Sequence, residues 1–168
     1  MDSDSSHSLE VTIEAEQWLA VVTEPDKICR RAMRAALQGG NSGAGPLAIS
    51  LVLSDDSRVE ALNAQWRGQQ RPTNVLSFPA GTSGFPLPPN EPRPLGDVIV
   101  AVETVCREAE AEGKPIVDHL AHLVVHGTLH LLGHDHTDTR EAEQMEALER
   151  HVLAGLGVPD PYAEVTSP

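Results

Sequence analysis

The stretch Val125-His126-Gly127-Thr128-Leu129-His130-Leu131-Leu132-Gly133-His134-Asp135-His136 decides how this chain is organised. His126 and His130 are four residues apart, so on an α-helix their imidazoles lie on one face, one turn apart. Gly133 can adopt a positive φ, end the helix and let the chain turn back. That turn brings His136 to the same ion, and three neutral imidazoles with one open position are typical of a catalytic zinc site.

This spacing is close to the H-E-x-x-H-x-x-G-x-x-H pattern of the metzincin proteases, with one difference. Gly127 stands where a metzincin has the glutamate that serves as general base. The pattern therefore predicts a metal-dependent hydrolase that acts on something other than a peptide. Its predicted metal ligands are His126, His130 and His136.

Three further residues near this motif have two interpretations each. His134 competes with His136 for the third ligand position, although the longer loop before His136 favours the latter. Asp135 is either an acceptor that orients a ligand imidazole or a turn residue at the helix end. His122, one turn before His126, is either a residue that supports a ligand, a fourth group near the cavity or, as we favour, a hydrogen-bonded core histidine.

The helix that carries the histidines, predicted from about Val117 to Leu132, is apolar on nearly all sides and is therefore expected to be buried. Strands and helices alternate before it. The predicted strands are Leu9–Ile13, Pro46–Leu53, Val75–Pro79 and Leu95–Val102, and the other predicted helices are Glu24–Gln38, Asp55–Trp66, Thr104–Glu112 and one from about residue 139 to Leu156. The glycine- and proline-rich segment Ala80–Pro94 is predicted to be irregular.

This pattern predicts a single α+β domain, with a small mixed four-stranded sheet and helices packed on it. The domain is expected to span residues 9–157, with flexible tails at 1–8 and 158–168, and His7 in the first tail is expected to be incidental. The length of 168 residues suits one hydrophobic core.

The composition limits the possible functions. The formal net charge is −13, so any contact with nucleic acid must come from a local basic patch. Aromatic residues make up only 3% of the chain, too few for extensive base stacking. Cys29 and Cys106 fit neither a metal pair nor a disulfide framework, and a reducing cytosol is the simplest setting. No signal peptide is recognisable, and no apolar run reaches the roughly 20 residues of a membrane span.

Two groups of arginines are candidates for such a patch. Arg30, Arg31 and Arg34 follow one another along a predicted helix, where a solvated face is the commoner role. Arg67 lies at the start of the loop before the strand Val75–Pro79, and a guanidinium is suited to bidentate phosphate recognition. The residues alone leave Arg67 balanced between phosphate binding and an ordinary surface position.

With these motifs together, the chain resembles the YbeY family of bacterial metal-dependent endoribonucleases, also called rRNA maturation factors. Three family motifs have counterparts in order. The family's arginine after an aromatic, followed by P-T-D-V-L-S-F-P, is matched by Trp66-Arg67 and by P-T-N-V-L-S-F-P at 72–79. L-G-D occurs at 95–97 and H-G-x-x-H-x-x-G-x-D-H at 126–136. The resemblance runs from about Val11 to Leu156. Asn74 stands where the family usually has aspartate, which removes a charge beside Arg67, and the proline-rich segment looks longer than usual.

The resemblance implies hydrolysis of single-stranded RNA, chiefly in 3′-end maturation of 16S rRNA, and a role in ribosome quality control. It implies one zinc ion on His126, His130 and His136, with Arg67 and His126 as the catalytic residues. In that mechanism the ion lowers the pKa of a water that attacks a phosphodiester, and Arg67 stabilises the charge on the phosphate. The expected partners are 16S rRNA precursor and the small ribosomal subunit or its proteins, in the cytoplasm and away from membranes.

Two other functions stay open at this point. The first is a zinc hydrolase of other esters or of peptides, although Gly127 counts against peptides. The second is a ribosome-assembly binding protein with a structural zinc, because structural sites are closed by four protein ligands and His134 could be the fourth. The acidic charge also leaves open that a ribosomal partner presents the RNA.

Overall fold

Four strands form one mixed sheet in the computed structural model, which describes residues 7–40, 45–67 (only the backbone at 67), 73–80, 91–134 and 138–162. The strands are β1 (Ser8–Ile13), β2 (Leu47–Ser54), β3 (Val75–Pro79) and β4 (Arg93–Ala101). Their order is β1-β2-β4-β3. β1, β2 and β4 run parallel, and β3 pairs antiparallel with β4 at the edge. The predicted four-stranded mixed sheet is confirmed.

Six helices accompany the sheet in the described residues: α1 (Gln17–Val21), α2 (Pro25–Gly39), α3 (Asp56–Arg67), α4 (Val102–Glu112), α5 (Ile116–Leu131) and α6 (Thr139–Gly155). The sequence did not predict α1, because five residues are too few to show a helical period. Tertiary packing holds this helix in place: Trp18 is fully buried, and its Nε1 donates to the Ser54 carbonyl at 2.9 Å.

The prediction that Ala80–Pro94 is irregular is wrong at its end, because β4 already begins at Arg93. The register between β2 and β4 shifts at Ala48/Ile49, so that Leu95 is the extra residue of a bulge. A proline is tolerated beside such a bulge, where regular pairing is interrupted. Residues 81–90 lie outside the described part of the chain.

The sheet separates a large core from a small one. Val98 and Val100 of β4 belong to the large core, which also contains the buried residues of α2 and α5. Ala101 instead joins Val59 of α3 and Leu76 of β3 in a small cluster. This alternation follows the period of two along a strand. The expected burial of the helix with the histidines is confirmed, since α5 contacts α2, α4, α6, β3 and β4.

The ends of the predicted domain are held by hydrogen bonds. Nδ1 of His7 accepts a hydrogen bond from the Leu47 amide at 2.9 Å, so His7 is not incidental but caps the start of β2. At the other end, the Val158 amide donates to the Leu153 carbonyl at 2.9 Å, and Lys114 Nζ donates to the Pro161 carbonyl at 3.3 Å. The predicted C-terminal tail thus includes residues 158–162, which contact the helices. No helix among the described residues is long and apolar enough to cross a membrane.

Candidate functional site

α5 brings His126 and His130 to one cleft of about 330 Å³. The cleft is lined by residues of α5, of β3 with the two residues before it, and of the C-terminal turn: Thr73, Asn74, Val75, Ser77, His122, Leu123, His126, His130 and Tyr162. The spacing of four residues therefore places both imidazoles where one group could contact them together. Their role as metal ligands stays a prediction.

The turn after α5 follows the sequence expectation. Gly133 has a φ of 100°. Its amide donates to the His130 carbonyl at 3.0 Å, and the His134 amide donates to the Leu129 carbonyl at 3.1 Å. These two bonds form the Schellman motif that ends a helix at a left-handed residue. The chain therefore changes direction directly after the second histidine, and the next residues, Asp135 and His136, lie outside the described part.

Gly127 has a packing reason to be glycine. A Cβ at this position would lie 2.9 Å from Val98 Cγ1 and 3.1 Å from Ser77 Oγ, closer than ordinary van der Waals contact. In addition, Ser77 Oγ donates to the Gly127 carbonyl at 3.2 Å. A side chain at residue 127 would therefore be pressed against the sheet. A glutamate at this position would require Val98 or Ser77 to shift.

A buried carboxylate contacts His126 from α6. The side chain of Glu149 is 0% exposed, and its Oε1 lies 2.5 Å from His126 Nδ1. Oε2 lies 3.3 Å from His122 Nε2 and accepts a hydrogen bond from the Tyr162 hydroxyl. Since a carboxylate can only accept, Nδ1 of His126 is the donor in this contact, and Nε2 is the ring nitrogen on the side away from Glu149. Histidines that bind metals typically donate their other ring N–H to a carboxylate in this way.

The neighbours of Glu149 and Tyr162 determine the ionisation of both side chains. Burial alone would raise the pKa of Glu149, but hydrogen bonds from His122, His126 and Tyr162 outweigh it and lower the pKa to about 2. Burial and the adjacent Glu149 carboxylate raise the pKa of Tyr162 well above its ordinary value. At neutral pH Glu149 is therefore an anion and Tyr162 a hydroxyl donor.

Glu149 and Tyr162 are not among the residues that the sequence predicts for the site. One signal could have identified Glu149: it occupies the buried face of α6, together with Met145, Val152 and Leu153. An acid at helical spacing within an apolar face needs a partner in the interior. For Tyr162 no comparable signal exists, because the contact depends on the path of the chain after α6.

Asn74 forms a second polar chain at the wall of the cleft. Its Nδ2 donates to Glu108 Oε1 at 2.9 Å, and the same oxygen lies 2.9 Å from His119 Nε2. An aspartate at residue 74 would set a second carboxylate against Glu108, so the amide removes a repulsion. Arg67 is the last residue of α3, and its side chain lies outside the described residues.

The other candidate residues have different surroundings. His134 Nε2 lies 3.4 Å from the Gly40 carbonyl after α2. Arg30 is engaged with the Leu9 carbonyl and Asp26, while Arg31 and Arg34 are exposed, which agrees with a solvated helix face.

The donor set suits zinc, which accepts neutral imidazole nitrogens. His126 and His130 lie one turn apart, and the Nδ1 of the first contacts the Glu149 carboxylate. Within the described residues, no group of three or more His, Cys, Asp and Glu side chains could hold a metal ion. The predicted third ligand, His136, lies outside them.

Comparison with known proteins identifies the family of this chain. A family model described as "Endoribonuclease YbeY" matches residues 11–157. A protein named endoribonuclease YbeY from Azorhizobium caulinodans is 53% identical over 159 residues, which cover 92% of this chain and 96% of that protein. One of the same name from Rhodopseudomonas palustris is 50% identical over 155 residues, which cover 92% and 90%.

A solved structure shares the fold. The solution structure of TM1509 from Thermotoga maritima has a TM-score of 0.57 at 20% identity, over 95% of this chain and 99% of that chain. Together with the family model and the two relatives of at least 50% identity, the comparison leads to one conclusion. The chain belongs to the endoribonuclease YbeY family.

Proposed function

We propose that this protein is a zinc-dependent endoribonuclease for single-stranded RNA that acts in 3′-end maturation of 16S rRNA and in ribosome quality control in the cytoplasm. The observation that carries the proposal is the position of His126, which lines the same cleft as His130 and is held from behind by Glu149. The relatives named endoribonuclease YbeY support RNA as the substrate.

In this proposal, His126, His130 and His136 hold one zinc ion. When bound, zinc supplies a Lewis acid that lowers the pKa of a water molecule. The anionic Glu149 keeps the proton of His126 on Nδ1, so that Nε2 stays available as a ligand atom. Arg67 binds the phosphate, because a guanidinium forms two parallel hydrogen bonds to phosphate oxygens and stabilises developing charge.

The charge around the cleft favours an anionic substrate more than the net charge of −13 implies. Among the described residues that line the cleft there is no aspartate or glutamate side chain. Glu149 is fully buried, and Asn74 replaces a further carboxylate with an amide. An RNA phosphate can thus approach the histidines without meeting a carboxylate from this part of the lining.

The test pairs zinc content with cleavage of single-stranded RNA, with and without small ribosomal subunits. We expect about one zinc per chain in the wild type. His126→Ala should lose zinc and cleavage, whereas Arg67→Ala should keep zinc and lose cleavage. His151→Ala and Arg31→Ala, at exposed positions, are the matched controls and should behave as wild type.

Two results would contradict the proposal. Zinc that is bound while no RNA is cleaved, even beside ribosomal subunits, would assign the ion a structural role. Cleavage that persists in His126→Ala would place the reaction at another site.

A further inference from the structure

The buried charge of Glu149 has no role among the three predicted metal ligands. A carboxylate that is 0% exposed is costly unless hydrogen-bond donors surround it. Three donors meet this one: His126 through Nδ1, His122 through Nε2, and the Tyr162 hydroxyl. All three partners line the cleft, and His126 is the one among them that is a predicted metal ligand.

The geometry links one carboxylate to two turns of α5. His122 and His126 are four residues apart, so their rings lie on one helix face, with centroids 6.4 Å apart. Oε1 of Glu149 contacts His126 and Oε2 contacts His122. The His126 side chain is 28% exposed, so its ring lies between the buried carboxylate and the open cleft. Rotation of this ring would break its short contact with Glu149.

Tyr162 is brought to the carboxylate by an anchored turn. Arg150 Nε donates to Asp160 Oδ1 at 3.1 Å, and the Tyr162 amide donates to the same oxygen at 2.8 Å. The Arg150 guanidinium also lies over the Tyr162 ring, 5.3 Å from its centroid. The Tyr162 and His122 rings are nearly perpendicular, with centroids 5.5 Å apart. These contacts hold the turn after α6 in the position in which the Tyr162 hydroxyl donates to Glu149.

We propose that Glu149 is the positioning residue of the metal centre and that Tyr162 locks its carboxylate in place. Glu149 sets both the ring orientation and the tautomer of His126, so that the ligand nitrogen is prepared before any ion arrives. The identity of the ion rests on the proposed function, but the orientation of His126 does not. The C-terminal turn, 158–162, thereby becomes part of the site.

The first measurement concerns the protein without metal. Long-range nitrogen–proton NMR of the histidine rings distinguishes a proton on Nδ1 from one on Nε2. We expect His126 to carry its proton on Nδ1 in the wild type and in Glu143→Gln, a matched change at an exposed position of α6. A wild-type His126 without a proton on Nδ1 would overturn the proposal.

The second measurement is the zinc dissociation constant by competition with a chelator. Loss of a partner that orients a ligand histidine typically weakens binding about 10–100-fold, and we expect this of Glu149→Gln. Glu143→Gln should bind as wild type does. A folded Glu149→Gln with wild-type zinc affinity would show that Glu149 only joins α6 to α5.

Tyr162→Phe keeps the ring and removes the hydroxyl, so it still tests the contact between Tyr162 and the carboxylate if Glu149→Gln does not fold. We expect zinc binding to weaken several-fold, and unchanged binding would overturn the role of Tyr162. If the wild type binds no zinc while His126 is protonated on Nδ1, the proposal of a zinc enzyme is contradicted. The proposal that Glu149 orients His126 is then still supported. The two proposals can therefore fail separately.

Discussion

Gly127 shows how a single residue sets the distance between α5 and the sheet. A Cβ there would meet Val98 Cγ1 at 2.9 Å, within a fully buried core. We predict that Gly127→Ala lowers the free energy of unfolding by about 1–3 kcal/mol, the usual cost of overpacking, despite the helix preference of alanine. Urea unfolding measures the change.

The matched control is Gly155→Ala on α6, where nothing lies within 4 Å of the added Cβ. Alanine should raise the stability there by roughly 0.5–1 kcal/mol, because glycine is the more costly residue in a helix. An equal change in the free energy of unfolding for Gly127→Ala and Gly155→Ala would mean that the close approach of α5 to β4 does not require glycine at residue 127.

For single residues, the sequence predicts which site residues lie together only when they are close to each other along the chain. His126 and His130 are predicted to share a face because the helix period relates them, and the cleft contains both. Glu149 is 23 residues beyond His126, so only the packing of α6 on α5 brings the two together. Periodicity identifies the face on which a residue lies, but it does not identify the partner that face meets.

The bounds of helices and strands are predicted well where the hydrophobic pattern is long or where turn residues lie at its ends. β3 has the predicted bounds, and α5 differs by one residue at each end. The start of β4 was missed because it contains a proline, and its pairing with β2 stabilises it. Helix α1 was missed because it is short, and the burial of Trp18 stabilises it. Tertiary contacts override local preference at both places.

Asp56 joins the N-termini of α3 and α4. Its Oδ1 accepts from the Thr104 amide at 3.1 Å and hydroxyl at 2.7 Å, and Oδ2 accepts from Arg107 at 2.9 Å. Burial would raise the pKa of Asp56, but these hydrogen bonds outweigh it and hold the pKa below its ordinary value of 3.8. The ionised form is therefore the one that stabilises the fold.

A carboxyl whose pKa is lower in the folded state adds stability that is fully present above its unfolded pKa. This stability is lost as the pH falls through the lower pKa of the folded state. We predict that Asp56→Asn is destabilised by about 1–3 kcal/mol at pH 7, the cost of disrupting hydrogen bonds to a charged group.

Urea unfolding between pH 7 and pH 2 should show the difference between Asp56→Asn and the wild type shrinking only below about pH 4. Asp55→Asn is the control, because its side chain caps α3 at the Arg58 amide and asparagine caps as well as aspartate. A difference for Asp56→Asn that does not depend on pH would contradict the ionic contribution.

For the whole molecule, metal binding and stability are linked. An ion that binds only the folded chain stabilises it by about 2.7 kcal/mol when its free concentration is 100 times Kd. We predict that zinc raises the melting temperature of the wild type and that a chelator reverses the rise. His130→Ala should show no such rise, while His151→Ala should respond as wild type. A rise retained in His130→Ala would place the ion elsewhere.

The net charge of −13 also predicts how this enzyme meets RNA. The described lining of the cleft contains no lysine or arginine, which leaves Arg67 as the proposed phosphate contact. One contact to single-stranded RNA gives a slope of about −0.7 for log K against log salt, so affinity for naked RNA should be low and weakly salt-dependent. Cleavage should therefore rise when small ribosomal subunits present the RNA.

Filter binding across a salt series, with cleavage assays with and without small subunits, measures both effects. Arg67→Ala should abolish the remaining slope, whereas the exposed Arg31→Ala should not change it. A slope of about −3 or steeper would require four or more phosphate contacts and thus a basic surface beyond Arg67. In that case the protein would capture RNA by its own charge, and presentation by a ribosomal partner would be unnecessary.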